Sequence, residues 1–226
     1  MLLGKTLPAA GLTERQIKTM FRIMQNYYDN ILWDNFVSDL RNKRDVVLLC
    51  DDNDAIHGFT TLTVFAHGEH AQLLFSGDTI VEKEYWGDNN LPHAWLINAL
   101  GYAQNFKGKT YWLLLAKGYK TYKYLHTFFN EFYPRAQTAT PQHLQEIIDA
   151  FANKQFGAKY QNGVYVEGKD FLKGEYADIG EAQLRDKNTA FFIERNPGYK
   201  NGNELVCLCE ISVGNLNRLG RRILGR

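Results

Sequence analysis

Residues 72–106 read QLLFSGDTIVEKEYWGDNNLPHAWLINALGYAQNF, and the rest of the chain is organised around them. Leu73, Leu74 and Phe75 form a continuous apolar run, the mark of a buried strand. Ser76-Gly77 follows, where a strand bulges or splays. Thr79, Ile80 and Val81 resume a β-branched pattern. Gly87, Asp88, Asn89 and Asn90 form a turn cluster. Pro92 stands where a first helical residue belongs, since its missing N–H is not needed there. Trp95, Leu96, Ala99, Leu100, Ala103 and Phe106 then recur at helical spacing. A strand feeding a helix through a glycine-containing turn points free backbone N–H groups and a helix dipole at whatever lies above the turn.

Upstream, Thr13 and Gln16 make a capping box that opens a helix with Ile17, Met20, Phe21, Met24 and Tyr28 on one face. Trp33, Phe36, Val37 and Leu40 mark a second helix. Residues 45–51 (DVVLLCD) and 57–67 read as an antiparallel hairpin that turns into the organising strand. Downstream, residues 110–116 (TYWLLLA) are a further strand, and 118–133 an aromatic-rich helix ended by Pro134. Beyond Arg135 the pattern predicts a helix over 140–154, short strands over 157–167 and 190–194, and a convincing strand over 205–211 (LVCLCEI). Residues 168–188 read as polar and loop-rich. A terminal segment, 215–226, places Leu216, Leu219 and Ile223 on one helical face and its arginines elsewhere. The expected division is a core over 1–135 and an extension over 136–226 that completes the sheet.

The run Val81-Glu82-Lys83-Glu84-Tyr85-Trp86-Gly87, with a helix after it, resembles the acyl-CoA-binding motif of the GNAT N-acyltransferases, roughly V-x-P-x-Y-R-G-x-G-x-G. Tyr85 and Gly87 agree with it. Trp86 stands where Arg or Gln is usual, and Asn89 and Leu91 where later glycines are usual. The resemblance spans about residues 12–134, mainly by the order of elements. It implies an α+β fold: a mixed, mostly antiparallel sheet flanked by helices, with a C-terminal α/β extension. It also implies that two neighbouring strands splay apart, and that a thioester's pantetheine arm uses the freed backbone. An acyl-CoA or an acyl-phosphopantetheine on a carrier protein would be the donor, and a small-molecule or peptide amine the acceptor.

Acyl transfer to an amine needs a polarised carbonyl, a base for the amine and a proton for the leaving thiolate. The resemblance places carbonyl polarisation on backbone N–H groups around Phe75, Ser76 and Gly77. It places the donor's phosphates at Gly87, Asp88, Asn89, Asn90 and Leu91. Asp88 sets a negative charge beside that anion site, and Pro92 removes an N–H from it. Coenzyme A would then lean on Lys117, Lys120 or Lys123; alternatively the donor is borne by an acyl carrier protein, whose arm carries one phosphate. Asp78, directly after Ser76-Gly77, is the candidate base, with His70 and Glu82 as others; capping of the bulge is its structural reading. Relatives often carry a mid-strand glutamate, and Leu73 stands near that position. Tyr124 is the candidate acid, since it lies off the apolar stripe of Tyr122, Leu125, Phe129 and Phe132; by the usual spacing Phe128 holds the tyrosine's position.

The composition fits a globular domain of 226 residues, 45% hydrophobic and 23% charged. A net charge of +1 argues against a nucleic-acid module. Cys50, Cys207 and Cys209 make no disulfide framework, and the alternating Cys207-x-Cys209 pair reads as core. The six histidines show no metal-ligand spacing, so no metal is expected. The first residues lack the apolar run of a signal peptide, and no run of ~18 apolar residues predicts a membrane span, so the expected location is cytoplasmic. The terminal arginines are a solvated face, or a contact for an acidic carrier or membrane surface. Two functions stay open: an N-acyltransferase, and a non-catalytic protein that keeps the cleft as a binding surface.

Overall fold

The computed structural model describes residues 1–166 and 170–225. In chain order it contains β1 (Leu3–Pro8), α1 (Glu14–Tyr27), β2 (Tyr28–Asp29), α2 (Trp33–Arg41), β3 (Asp45–Cys50), β4 (Ile56–His67), β5 (Ala71–Val81), α3 (Asn90–Gln104), β6 (Lys109–Ala116) and α4 (Tyr119–Phe128). Then come α5 (Gln142–Phe156), β7 (Tyr160–Gln161), β8 (Val164–Tyr165), β9 (Phe171–Leu172), α6 (Gly174–Ala177), α7 (Glu181–Leu184), α8 (Lys187–Arg195), β10 (Glu204–Glu210) and α9 (Arg218–Ile223).

Among the described residues, eight strands form one sheet in the order β1-β3-β4-β5-β6-β10-β8-β7, while β2 and β9 pair separately. Neighbours run antiparallel except β5 and β6, which are parallel. A parallel pair needs a crossover, and α3 supplies it. The sheet is shared across residue 135, because β10 lies between β6 and β8.

Three apolar clusters build the layers. On one face, α3, α4 and α8 pack on the even-numbered side chains of β5 and β6, among them Leu74, Trp112 and Leu114. On the other, α1 and α2 cover Val46, Leu48, Phe59 and Ile80. The same face is covered further along by α5, over Leu73, Leu113, Val206 and Leu208. The capping box opens α1 as the sequence predicts, with Thr13 and Gln16 bonded in both directions. Cys207 and Cys209 both point into the first core.

Four local readings are corrected. Residues 190–194 belong to helix α8: the short apolar run AFFI suits either state, and Asp186 caps a helix by accepting from the N–H groups of Asn188 and Thr189. β1 went unread, since LGKTLP lacks a clean alternation. Helix α3 begins at Asn90, so Pro92 is its third residue, still within the first turn where no N–H is required. Leu219 is 37% exposed, while Leu216 is buried. The reading of residues 168–188 as loop-rich falls partly outside the described residues; from 170 on it holds only the short elements β9, α6 and α7 and the first residues of α8.

Candidate active site

The site is built where β5 and β6 part. Their parallel pairing runs from Ala71↔Lys109 to Ser76↔Leu114 and stops. β5 continues beside β4 as far as Val81↔Gly58. A register shift at Thr60/Leu62 lets β5 take an extra residue opposite Thr61, so Gly77 and Asp78 form a bulge. A bulge turns a strand away from its neighbour, and here it lies at the fork. A Cβ at Gly77 would stand 2.6 Å from Thr61 Oγ1 and 2.8 Å from Lys43 Cε, so any larger residue would push those side chains aside.

The fork opens toward α3 and α4 into a cleft of about 350 Å³. Thr79, Gly87, Asp88, Asn89, Lys120, Lys123 and Tyr124 are among its walls. An inner cavity of about 40 Å³ continues from it, lined by Ser76, Trp95, Trp112, Leu114 and Tyr124. Ser76, buried at the fork, accepts hydrogen bonds from the indole N–H groups of Trp95 (3.0 Å) and Trp112 (2.9 Å). Phe75 lies before the fork, paired to both neighbouring strands, and its ring joins the α5 cluster. Ser76 and Gly77 alone of that trio stand at the opening.

The turn ahead of α3 is formed as read, with Gly87 at φ +95°. Asp88, however, turns inward on the helix start, accepting from the Asn90 N–H at 2.7 Å and the Asn90 side chain at 3.1 Å. With Pro92 lacking a donor and the His93 N–H bonded to the Asn89 carbonyl, among the described residues nothing accepts the Leu91 N–H of that first turn. One donor beside a carboxylate is a poor diphosphate cradle. Trp86 folds over the bend, donating to the Val81 carbonyl at 2.8 Å. The Lys120 ammonium rests 3.6 Å from the centre of its ring, so the pair narrows the mouth without filling the cleft. Burial, and then the nearby Lys83, lower the Lys120 pKa. Of the three lysines considered for phosphate, Lys120 and Lys123 line the cleft. Lys117 does not serve: its ammonium is held by Asp170 (2.6 Å) and Glu204 (3.2 Å).

Asp78 projects to the opposite face. Its surroundings are a polar seam between the α1/α2 and α5 clusters, with Lys43, Asp39, Lys117 and Asp170 nearby. Lys43 pairs with Asp39 at 2.8 Å, and the Lys117 ammonium sits 5.5 Å from the centre of the Tyr28 ring. Among the described residues Asp78 itself makes no hydrogen bond or ion pair. Burial first, and then Asp39, push its carboxyl up to about 6, against the pull of Lys43 and Lys117. Burial works against the Lys117 charge, but Glu204 and Asp170 outweigh it and raise its pKa. Asp78 and Tyr124 therefore face each other only through the fork.

Tyr124 stacks on Phe128 and touches both the cleft and the inner cavity; burial raises its pKa. Tyr122 is core, as its stripe implies, and donates to the Pro134 carbonyl at 2.9 Å. Glu82 is engaged by His57 Nδ1 at 2.8 Å, away from the fork. Sequence reasoning missed the two indoles on Ser76, whose only local sign is a tryptophan on each flanking element. It also missed the lysine seam, which joins residues far apart in the chain. Among the described residues no helix is long and apolar enough to cross a membrane, and no cluster of metal-ligating side chains occurs.

No family model and no curated protein matches the sequence. Among solved structures, the chain is similar to a GNAT family N-acetyltransferase (YhbS) from Escherichia coli in complex with CoA, at 15% identity and a TM-score of 0.40, over 57% of this chain and 69% of that one. It is similar to a probable N-acyltransferase from Enterococcus faecalis, at 14% identity and a TM-score of 0.43, over 70% of this chain but 45% of that one. The catalytic domain of Tetrahymena GCN5 histone acetyltransferase with coenzyme A is similar at 13% identity and a TM-score of 0.42, over 64% and 82%. Likeness at this level bears no weight for activity. The chain's own strand order, with a single parallel pair among the described residues that opens at Ser76, makes the fold GNAT-like: a mixed, mostly antiparallel sheet flanked by helices.

Proposed function

We propose that the protein is an N-acyltransferase, moving an acyl group from a thioester to an amine. One observation carries this reading: the β5–β6 fork, which gives a donor cleft on one face and an unpaired carboxylate on the other. In the reaction, the amine nitrogen attacks the thioester carbonyl carbon and a C–N bond forms. Asp78 takes the amine proton; with a pKa of about 6 it is mostly ionised at neutral pH and still basic enough to accept. The intermediate collapses, the C–S bond breaks, and the thiolate leaves. Tyr124, held protonated by burial, donates a hydrogen bond to that thiolate. It does not surrender its proton, because its pKa lies above the thiol's, about 8.5; solvent protonates the thiolate on release.

The donor is acyl-CoA or an acyl-phosphopantetheine on a carrier protein. The inward-turned Asp88 favours the carrier-borne form, which asks for one phosphate contact instead of three. Lys120 and Lys123 supply that contact at the rim. Thermal shift with acyl-CoA and, separately, with acyl-carrier protein tests the donor. Thiol release in the presence of a panel of amines tests turnover. A donor that raises the Tm without thiol release on any amine would replace this reading with that of a binding protein.

A further inference from the structure

The Ser76 hydroxyl has one proton and two lone pairs. Tryptophan N–H groups only donate, so Trp95 and Trp112 between them fill both lone pairs. The remaining direction is the O–H itself. Ser76 is 1% exposed, and among the described residues nothing accepts its proton. The residue lines the inner cavity, whose walls are otherwise mainly apolar: Leu91, Leu96, Leu114, Phe128 and the two indoles. A buried donor without an acceptor costs free energy, which a ligand's acceptor at this place would recover. Its place is the last paired residue before β5 and β6 separate.

Resting on the acyltransferase reading, we infer that this cavity is the acyl subsite, and that the Ser76 O–H donates to the carbonyl oxygen of a short apolar acyl group. Two indole donors polarise the hydroxyl and strengthen the bond it gives. The bond tightens as the C–N bond forms and the carbonyl oxygen becomes an oxyanion; it persists until the C–S bond breaks and the carbonyl is restored. Ser76 keeps its proton throughout. The cavity's 40 Å³ sets the chain length. About 10–15 Å³ holds one water-sized group, so two or three methylene-sized groups fit beyond the carbonyl.

The test uses the full chain with acetyl, butyryl and dodecanoyl thioesters of coenzyme A and of pantetheine, the butyryl forms carrying ¹³C at the carbonyl. Infrared spectra without amine should show the bound carbonyl stretch moved to lower wavenumber than in water-free solvent and sharpened. The move should vanish in Ser76→Ala and persist in Ser76→Thr, which keeps the hydroxyl. With amine present, Ser76→Ala should lower kcat by about 10²-fold, the scale of one lost oxyanion donor. Ser76→Thr should instead lose preference for butyryl over acetyl, since its methyl takes up cavity space. If Ser76→Ala does not fold, the wild-type spectrum and Ser76→Thr decide alone. An unshifted carbonyl in the wild type, or equal rates with acetyl and dodecanoyl donors, overturns the inference while leaving acyl transfer standing. Failure of every thioester to bind the wild type removes the acyltransferase reading itself, and this one with it.

Discussion

Replacing Asp78 with Asn should stabilise the protein, and only above a certain pH. The folded-state pKa is pushed from 3.8 to about 6, chiefly by burial. At about 1.4 kcal/mol per unit, that shift sets a ceiling of roughly 3 kcal/mol, lowered by the part of the half-buried Asp78 side chain that still meets solvent. The sign follows from proton binding. The native state holds the proton to higher pH than the unfolded chain, so the protonated carboxyl's advantage is full below the unfolded value of 3.8 and is lost as pH rises through about 6. Above that, the wild type bears the whole penalty and the D78N variant bears none. Urea denaturation at pH 7.5 should therefore show the variant more stable by up to about 3 kcal/mol, or about 6–12 °C in Tm for a chain of this size. At pH 3.5 the two should coincide. Thiol release should behave oppositely: the limb of kcat/KM that rises through about pH 6 in the wild type should be absent in the variant. A variant no more stable at pH 7.5, or equally more stable at both pH values, would mean that the carboxylate is not desolvated at the fork, and the assignment of Asp78 as base would lose its physical ground.

Asp88→Asn keeps the side-chain oxygen that caps α3 but removes its charge. Titration calorimetry with coenzyme A should show five- to tenfold tighter binding, from a repulsion of about 1 kcal/mol, and unchanged affinity would absolve Asp88. Lys117→Met removes the ammonium that stands 2.6 Å from Asp170 and should lower stability by up to about 3 kcal/mol in urea melts; a loss under about 1 kcal/mol would show that solvent already screens the pair. Tyr122→Phe removes the hydrogen bond to the half-buried Pro134 carbonyl and should lower stability by about 1 kcal/mol, with a Tm change of a few degrees and no change in donor binding.

The parts of the fold written in local patterns were readable. The β3–β4 hairpin, the bend at Gly87, the α3 helix and the break at Ser76-Gly77 each depend on residues adjacent in sequence, so periodicity and turn chemistry reveal them. Residues 205–211 read as a strand for the same reason, yet their insertion between β6 and β8 is a matter of long-range pairing that no local pattern encodes. The site divides in the same way. Asp78 and Ser76 were legible as residues beside a break in a strand. That Asp78 faces away from Tyr124, that Lys117 is committed to Asp170 and Glu204, and that two indoles converge on one hydroxyl are consequences of packing between elements. The inward turn of Asp88 was half legible: its charge beside a helix start was clear, but its capping of Asn90 was not.

The position of β10 has a consequence for how the chain is made. β6, which forms one wall of the fork, has β5 on one side and β10 on the other, and the two partners are separated by more than a hundred residues of sequence. Until residues 204–210 emerge, a growing chain carries β6 as a bare, strongly apolar edge, TYWLLLA, of the kind that templates pairing with other chains. Synthesis at about 5–20 residues per second leaves that edge open for several seconds on the ribosome. Nascent chains of this protein should accordingly depend on chaperones late in translation, and a fragment ending near residue 200 should aggregate even though most of its helices are present.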